Sequence, residues 1–301
     1  MIVVTGATGN TGKRIAEALL AAGEKVRVVG RSADKLKPFA DKGAEAFVGD
    51  VADAVAMARA LEGATAAYLM IPPSYAEPDF LAYQERVADT LATAAEKAGV
   101  KHVVTLSSIG ADKPDKCGPV TGLHLFEQRI NKVAGLNLLH LRPGYFLENL
   151  LQFIGVIKSM GMMASTLKGD LPIAMIAPRD IGAYAAERLR KRDFSGQSTR
   201  ELQGARDVTL SDAAAAIGKA IGKPGLLYSR VPAMMVKPVL KKMGLTDNMA
   251  DLLLEMDDAL NSGYMKAQEP RSASNTTPTT LEQFVAENFV PAFQGKAAAG
   301  R

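Results

Sequence analysis

The residues best placed to do chemistry come at the start of the chain. Val3-Val4-Thr5 runs into Gly6-Ala7-Thr8-Gly9-Asn10-Thr11-Gly12, with glycines at the first, fourth and seventh places. The apolar run before them and the Ala/Leu pattern after them read as a strand, a turn and a helix. In that setting each glycine has a mechanical part. Gly6 lets the chain turn off the strand, Gly9 lets the backbone approach a diphosphate, and Gly12 lets the helix pack against the sheet. The helix start then offers unpaired N–H groups and a partial positive charge to the phosphates. The expected chemistry is the grip of a dinucleotide through main-chain amides.

The second strand ends in Val28-Val29-Gly30-Arg31-Ser32, with no acidic residue until Asp34. An acidic side chain at that point would accept from a ribose 2′-hydroxyl and repel a 2′-phosphate, whereas Arg31 pairs with the phosphate and Lys35 adds a second positive charge. NADP is therefore favoured over NAD; the plainer alternative is that both side chains are solvated surface charges. Asp50, in Gly49-Asp50-Val51, is placed either to accept from an adenine amino group or to cap the next helix. Val51, and Ile71-Pro72 after the fourth strand, are assigned to the same cofactor.

Three later segments should meet in one crevice at the carboxyl edge of the sheet. Thr105-Leu106-Ser107-Ser108-Ile109-Gly110 closes the fifth strand, and Ser107 there is expected to face a nicotinamide, with Ser108 beside it. Gly122-Leu123-His124-Leu125-Phe126-Glu127-Gln128 reads as a helix start. Leu141-Arg142-Pro143-Gly144-Tyr145-Phe146-Leu147-Glu148-Asn149 reads as a strand end with a turn, in which Pro143 and Gly144 border the cofactor. His124 can bond a ribose or an acceptor oxygen, or deliver a proton with a reference pKa of about 6.5; otherwise it is a surface or capping histidine. Tyr145, Phe146 and Asn149 would give an apolar wall and one hydrogen bond. His102 and His140 read as structural.

The elements that must position these residues follow from periodicity. Strands are expected near 1–5, 25–30, 45–49, 66–71, 100–106 and 136–141, alternating with helices such as the one whose face carries Tyr83, Val87 and Leu91. That rhythm predicts an α/β fold, a doubly wound parallel (Rossmann) sheet with helices on both faces. Residues 1–150 form the expected NAD(P)-binding domain, and 151–301 a smaller, irregular substrate-binding region packed on the same sheet edge. Ten of the 13 Met residues lie in the second part. Helices are expected at 179–191, 210–222 and 249–261, and Thr280 and Gln283 have capping-box spacing. Val231–Met243 is most simply an amphipathic helix on the core, with a partner surface or pocket lid as alternatives. The tail 294–301 is expected to fray.

Composition limits the rest. In 301 residues there are one Cys and three His, which excludes a disulfide scaffold and offers no zinc-ligand spacing. Apolar residues are 48% and charged residues 23%, ordinary for a globular protein. The apolar stretch 150–164 is broken by Gln152 and Lys158, so no membrane span is expected. The opening strand has no basic leader, and a cytoplasmic location is the expectation. A net charge of +4 with no Trp gives no sign of a nucleic-acid partner.

These motifs resemble the NmrA-like branch of the atypical short-chain dehydrogenase/reductases, most closely its NAD(P)H:quinone oxidoreductase-like members. The resemblance rests on the Gly6–Gly12 motif, Gly49-Asp50, Ser107-Ser108, Leu141–Asn149, Arg179-Asp180-Ile181-Gly182 and Thr277-Pro278-Thr279-Thr280. It implies hydride transfer from NADPH to a small, quinone-like acceptor, with His124 at the helix position where relatives carry His or Lys. The chain departs from typical short-chain dehydrogenases, because none of its tyrosines has Lys four places later. An ordinary ketone needs an acid at the developing alkoxide, whereas a conjugated quinone does not. The alternative implied by the family is a redox-sensing regulator that binds NAD(P) without turnover and acts through a protein partner. A homodimer fits either reading.

Overall fold

The computed structural model describes residues 1–296; the expected fraying of 297–301 lies outside the described residues. The first half alternates strand and helix: β1 Ile2–Val4, α1 Asn10–Ala21, β2 Val26–Gly30, α2 Ala33–Ala40, β3 Glu45–Val48, α3 Ala54–Leu61, β4 Ala66–Leu69, α4 Phe80–Ala98, β5 His102–Leu106, α5 Pro119–Ile130 and β6 Asn137–Pro143. There follow β7 Tyr145–Phe146, α6 Phe153–Met160, β8 Met163–Ser165, β9 Ile173–Ile176, α7 Pro178–Lys191, β10 Gln197–Leu202, β11 Asp207–Val208, α8 Leu210–Ala220 and β12 Tyr228–Arg230. The chain ends with α9 Ala233–Lys242, α10 Asp247–Ser262, α11 Leu281–Phe284, a π-turn over 285–289 and α12 Val290–Phe293.

The central sheet has seven strands in the order β10-β6-β5-β4-β1-β2-β3, every pair parallel. β1 lies between β2 and β4, so the strand order reverses there and leaves a crevice beyond the carboxyl ends. Strands covered on both faces become apolar throughout: Val3, Val29 and Leu69 pack under α3 and α4, and Val4, Val28 and Tyr68 pack under α1 and α7. The second half returns to this sheet, since β10 pairs with β6 along Gln197–Leu202 and α7 lies against α1. The remainder builds its own apolar core around Leu150, Phe153, Ile217, Phe284 and Phe289.

Two sequence expectations change. The helix within 231–243 forms, but it does not rest on the core: all ten residues of α9 are at least partly exposed. Lys237 and Lys241 tie it to Asp251 and Asp247 of α10, at 2.6 and 3.0 Å, and this turns Met234, Met235 and Val239 outward. Asp50 does not cap α3. Asp53 does, its carboxylate accepting from the amides of Val55 and Ala56, while Asp50 accepts from Ala52 in a local turn. No helix among the described residues is long and apolar enough to cross a membrane.

Candidate active site

The glycine loop is shaped by contacts that exclude any side chain. Gly6 adopts φ +62°, and a Cβ there would meet the sulfur of Met70 at 2.6 Å. A Cβ on Gly12 would lie 2.3 Å from the carbonyl oxygen of Gly6, so α1 can pack this close to the turn only without one. Around Gly9 the tightest contact is 3.3 Å, to the same oxygen; otherwise its surface is open, and Thr8, Gly9 and Asn10 are exposed. The Lys13 amide donates to the Gly9 carbonyl, the first bond of the helical ladder, so the amides of Asn10, Thr11 and Gly12 precede the ladder. α1 has no acidic residue in its first turn and no side-chain cap, leaving its positive end to an anion. Thr11 shares a 2.9 Å hydrogen bond with the buried Tyr68 phenol, and the Thr5 hydroxyl donates to the Tyr68 carbonyl while accepting from the Met70 amide. The loop is thus anchored to β4.

Beside the loop the ends of β2, β3 and β4 form a second wall. Burial, with the Asp50 carboxylate adding to it, pushes the Tyr83 phenol up to about 12, while the Arg31 guanidinium pulls it the other way. Tyr83 donates to the Pro72 carbonyl at 3.2 Å. Arg31 and Asp50 therefore both act on Tyr83, which is tied to Pro72, and buried Val51 and Ile71 stand at the adjoining strand ends. Lys35 lines a cavity bounded by Thr8, Gly9, Asn10 and Lys13.

At the ends of β5 and β6 lies a cavity of about 650 Å³. Ser107, Ser108, Pro143, Gly144, Tyr145, Phe146 and Asn149 all line it, so two of the three expected segments meet there through the residues singled out. From α5 the lining residues are Pro119, Val120 and Leu123; His124, next along the helix, is not among them and bonds through Nδ1 to the Ala111 carbonyl at 2.9 Å. A carbonyl can only accept, so Nδ1 carries a proton. The far wall comes from the second half, with Met249, Met256 and Leu260 of α10 and Met265 beyond it. Tyr145 hydrogen-bonds Asn149 and Gln152, and burial raises its phenol above the ordinary tyrosine range, with Asp257 contributing.

Sequence reasoning missed a buried cluster beneath this cavity. Ser107 donates to Glu127 Oε1 at 2.5 Å, and Arg142 grips both oxygens of Glu127, Nε to Oε1 at 2.9 Å and Nη2 to Oε2 at 2.5 Å. Glu127 is 2% exposed. The signal was Arg142 at the end of a strand rich in leucine, a charge that needs a counter-charge when covered. Two residues earlier on the same strands, Thr105 bonds His140, whose other nitrogen bonds Asn131, so His140 is part of the framework.

Comparison with known proteins gives the family and matches the fold. A model of the NmrA-like family matches residues 1–285. The chain is 33% identical over 224 residues to a (4-alkanoyl-5-oxo-2,5-dihydrofuran-3-yl)methyl phosphate reductase of Streptomyces griseus, covering 74% of this chain and 75% of the relative. It is 29% identical over 258 residues to the NAD(P)H azoreductase of Xenophilus azovorans, covering 85% and 86%. An NADPH-dependent quinone oxidoreductase of Escherichia coli, solved with NADPH, superposes with a TM-score of 0.81 at 26% identity, over 95% of this chain and 99% of that one.

Proposed function

The chain belongs to the NmrA-like family and is an oxidoreductase, and from that premise we propose that it transfers hydride from NADPH to a quinone or a similarly conjugated small acceptor. The observation that carries this reading is the adjacency of two sites: an amide cradle at the reversal of the sheet, and an apolar cavity at the ends of the next two strands, with Ile71 and the Pro72 carbonyl between them. Gly6, Ala7, Thr8, Gly9, Asn10, Thr11 and Gly12 would hold the diphosphate, and Asp50, Val51, Ile71 and Pro72 the adenosine side. Arg31, directly after β2, would pair with a 2′-phosphate, and Lys35, in the first turn of α2, would add a second positive charge. Absence of an acidic residue at that strand end supports NADPH over NADH. Ser107, Ser108, Pro143 and Gly144 would border the nicotinamide.

NADPH bound there supplies the hydride; the protein supplies position, an apolar wall and hydrogen bonds. Tyr145 stays protonated at any working pH and orients the acceptor as a hydrogen-bond donor, with Asn149 fixing its phenol. His124, its Nδ1 tied to the Ala111 carbonyl beside the cavity, would present its other ring nitrogen to a ligand hydroxyl. A phenol held protonated is a weak acid, which suits an acceptor whose reduced form is stabilised by conjugation and takes its protons from solvent. Residues 151–301, beyond the strand and helix they return to the sheet, would be the substrate side, through the Met-lined face of α10.

The test is a steady-state assay of NADPH and NADH oxidation against simple ketones and substituted quinones. Acceptor-dependent oxidation with quinones and not with ketones is the expected result. Binding of NADPH without oxidation by any conjugated acceptor would overturn the reading.

A further inference from the structure

The cluster beneath the cavity decides what Ser107 can do. A serine hydroxyl has one proton and two lone pairs, and at most sites it rotates to suit its partner. Here the rotation is fixed. Glu127 is buried, held through both carboxylate oxygens by Arg142, and accepts from Ser107 at 2.5 Å. Arg142 has only donors, so Glu127 Oε1, which accepts from its Nε, is also the acceptor that faces the Ser107 hydroxyl. Ser107 sits just past β5, its amide bonded to the Leu141 carbonyl at 2.7 Å, so its main chain is fixed as firmly as its proton.

We infer that Glu127, locked by Arg142, is a positioning residue that turns Ser107 into a hydrogen-bond acceptor toward the cavity, selective for a ligand N–H such as the carboxamide of a nicotinamide. A serine in this state cannot protonate an acceptor, and it discriminates against a ring substituent that carries no donor. The inference rests on the dinucleotide reading above and deepens it. The amide cradle fixes the diphosphate wherever the ring lies; the Ser107 oxygen fixes which edge of the ring faces β5.

Binding of two cofactors tests this without turnover. Reduced NADP and its reduced 3-acetylpyridine analogue, which has a methyl group in place of the carboxamide NH2, are titrated into the wild-type chain, Ser107→Ala and Glu127→Gln. Ser107→Ala should weaken NADPH about three- to tenfold, the loss of one hydrogen bond, and leave the analogue's affinity unchanged. Glu127→Gln should show the same selectivity, because an amide N–H donating to the serine oxygen frees the serine proton to point into the cavity, against the ligand N–H; unchanged NADPH affinity in this variant overturns the role given to Glu127. The double variant should be no worse than Ser107→Ala. Equal weakening of both cofactors, or of neither, in Ser107→Ala overturns the inference while leaving the dinucleotide site intact. Failure of the wild type to bind either cofactor overturns the dinucleotide reading itself, and this inference with it.

Discussion

The carbonyl oxygen of Gly6 occupies the place where a Cβ on Gly12 would have to sit, 2.3 Å away. The turn off β1 and the first turn of α1 are therefore built as one unit, and the open face at Gly9 exists because of it. Gly12→Ala must push the helix start away from the turn. NADPH affinity should fall at least tenfold, with a stability loss of about 1–3 kcal/mol from overpacking. Fluorescence titration and thermal unfolding check the two effects separately. Unchanged affinity would detach the loop from the cofactor.

Arg31 stands close enough to Tyr83 to influence its phenol, as Asp50 does, and in the proposed function it pairs with the 2′-phosphate. Arg31→Glu replaces attraction with repulsion there. NADPH binding should weaken about ten- to hundredfold, the worth of a charge-assisted hydrogen bond, while NADH is little affected. Equal losses for both dinucleotides would remove Arg31 from the choice between them.

Asp257, on α10, carries a pH-dependent term in stability. Burial raises its carboxyl to about 6, against a partly offsetting hydrogen bond from Thr166. A raised acid favours the folded state in its neutral form, so this contribution is complete below about pH 4 and is lost as pH rises through about 6. It amounts to roughly 3 kcal/mol. Asp257→Asn keeps an acceptor for Thr166 and removes the titration. The variant should match the wild type near pH 4 and melt higher near pH 8; identical pH profiles would contradict the assignment.

Met234 and Met235 on α9 are 81% and 60% exposed, whereas Met57 on α3 is fully buried. Replacing either exposed residue by Gln should change stability by less than about 0.5 kcal/mol. Met57→Gln buries an amide in the core and should cost several times that. Chemical denaturation of the three variants measures the contrast.

Much of the fold was legible because its causes are local. Glycine spacing, the apolar strands and the Thr280 capping box each depend on residues within one turn or strand of one another, and each is where the sequence puts it. The carboxyl-edge meeting of Ser107 with Tyr145 and Asn149 follows from parallel strands alone. What escaped depends on distance along the chain. Glu127 and Arg142 are 15 residues apart in different elements, and only the packing of α5 over β6 makes them partners. For α9 the apolar pattern announces a face, but whether another element covers it is settled elsewhere. Asp50 and Asp53 are equivalent in composition; the start of α3 selects Asp53, three residues later.

The most direct test is a titration of NADPH into the wild-type chain, followed by nicotinamide emission, which no Trp residue obscures. A conjugated quinone is then added to the saturated sample. Saturable binding at one site per chain, displaced by NADP+, followed by quinone-dependent loss of the emission, is the result expected. No saturable change on titration, or a bound signal that persists after quinone is added, would contradict it.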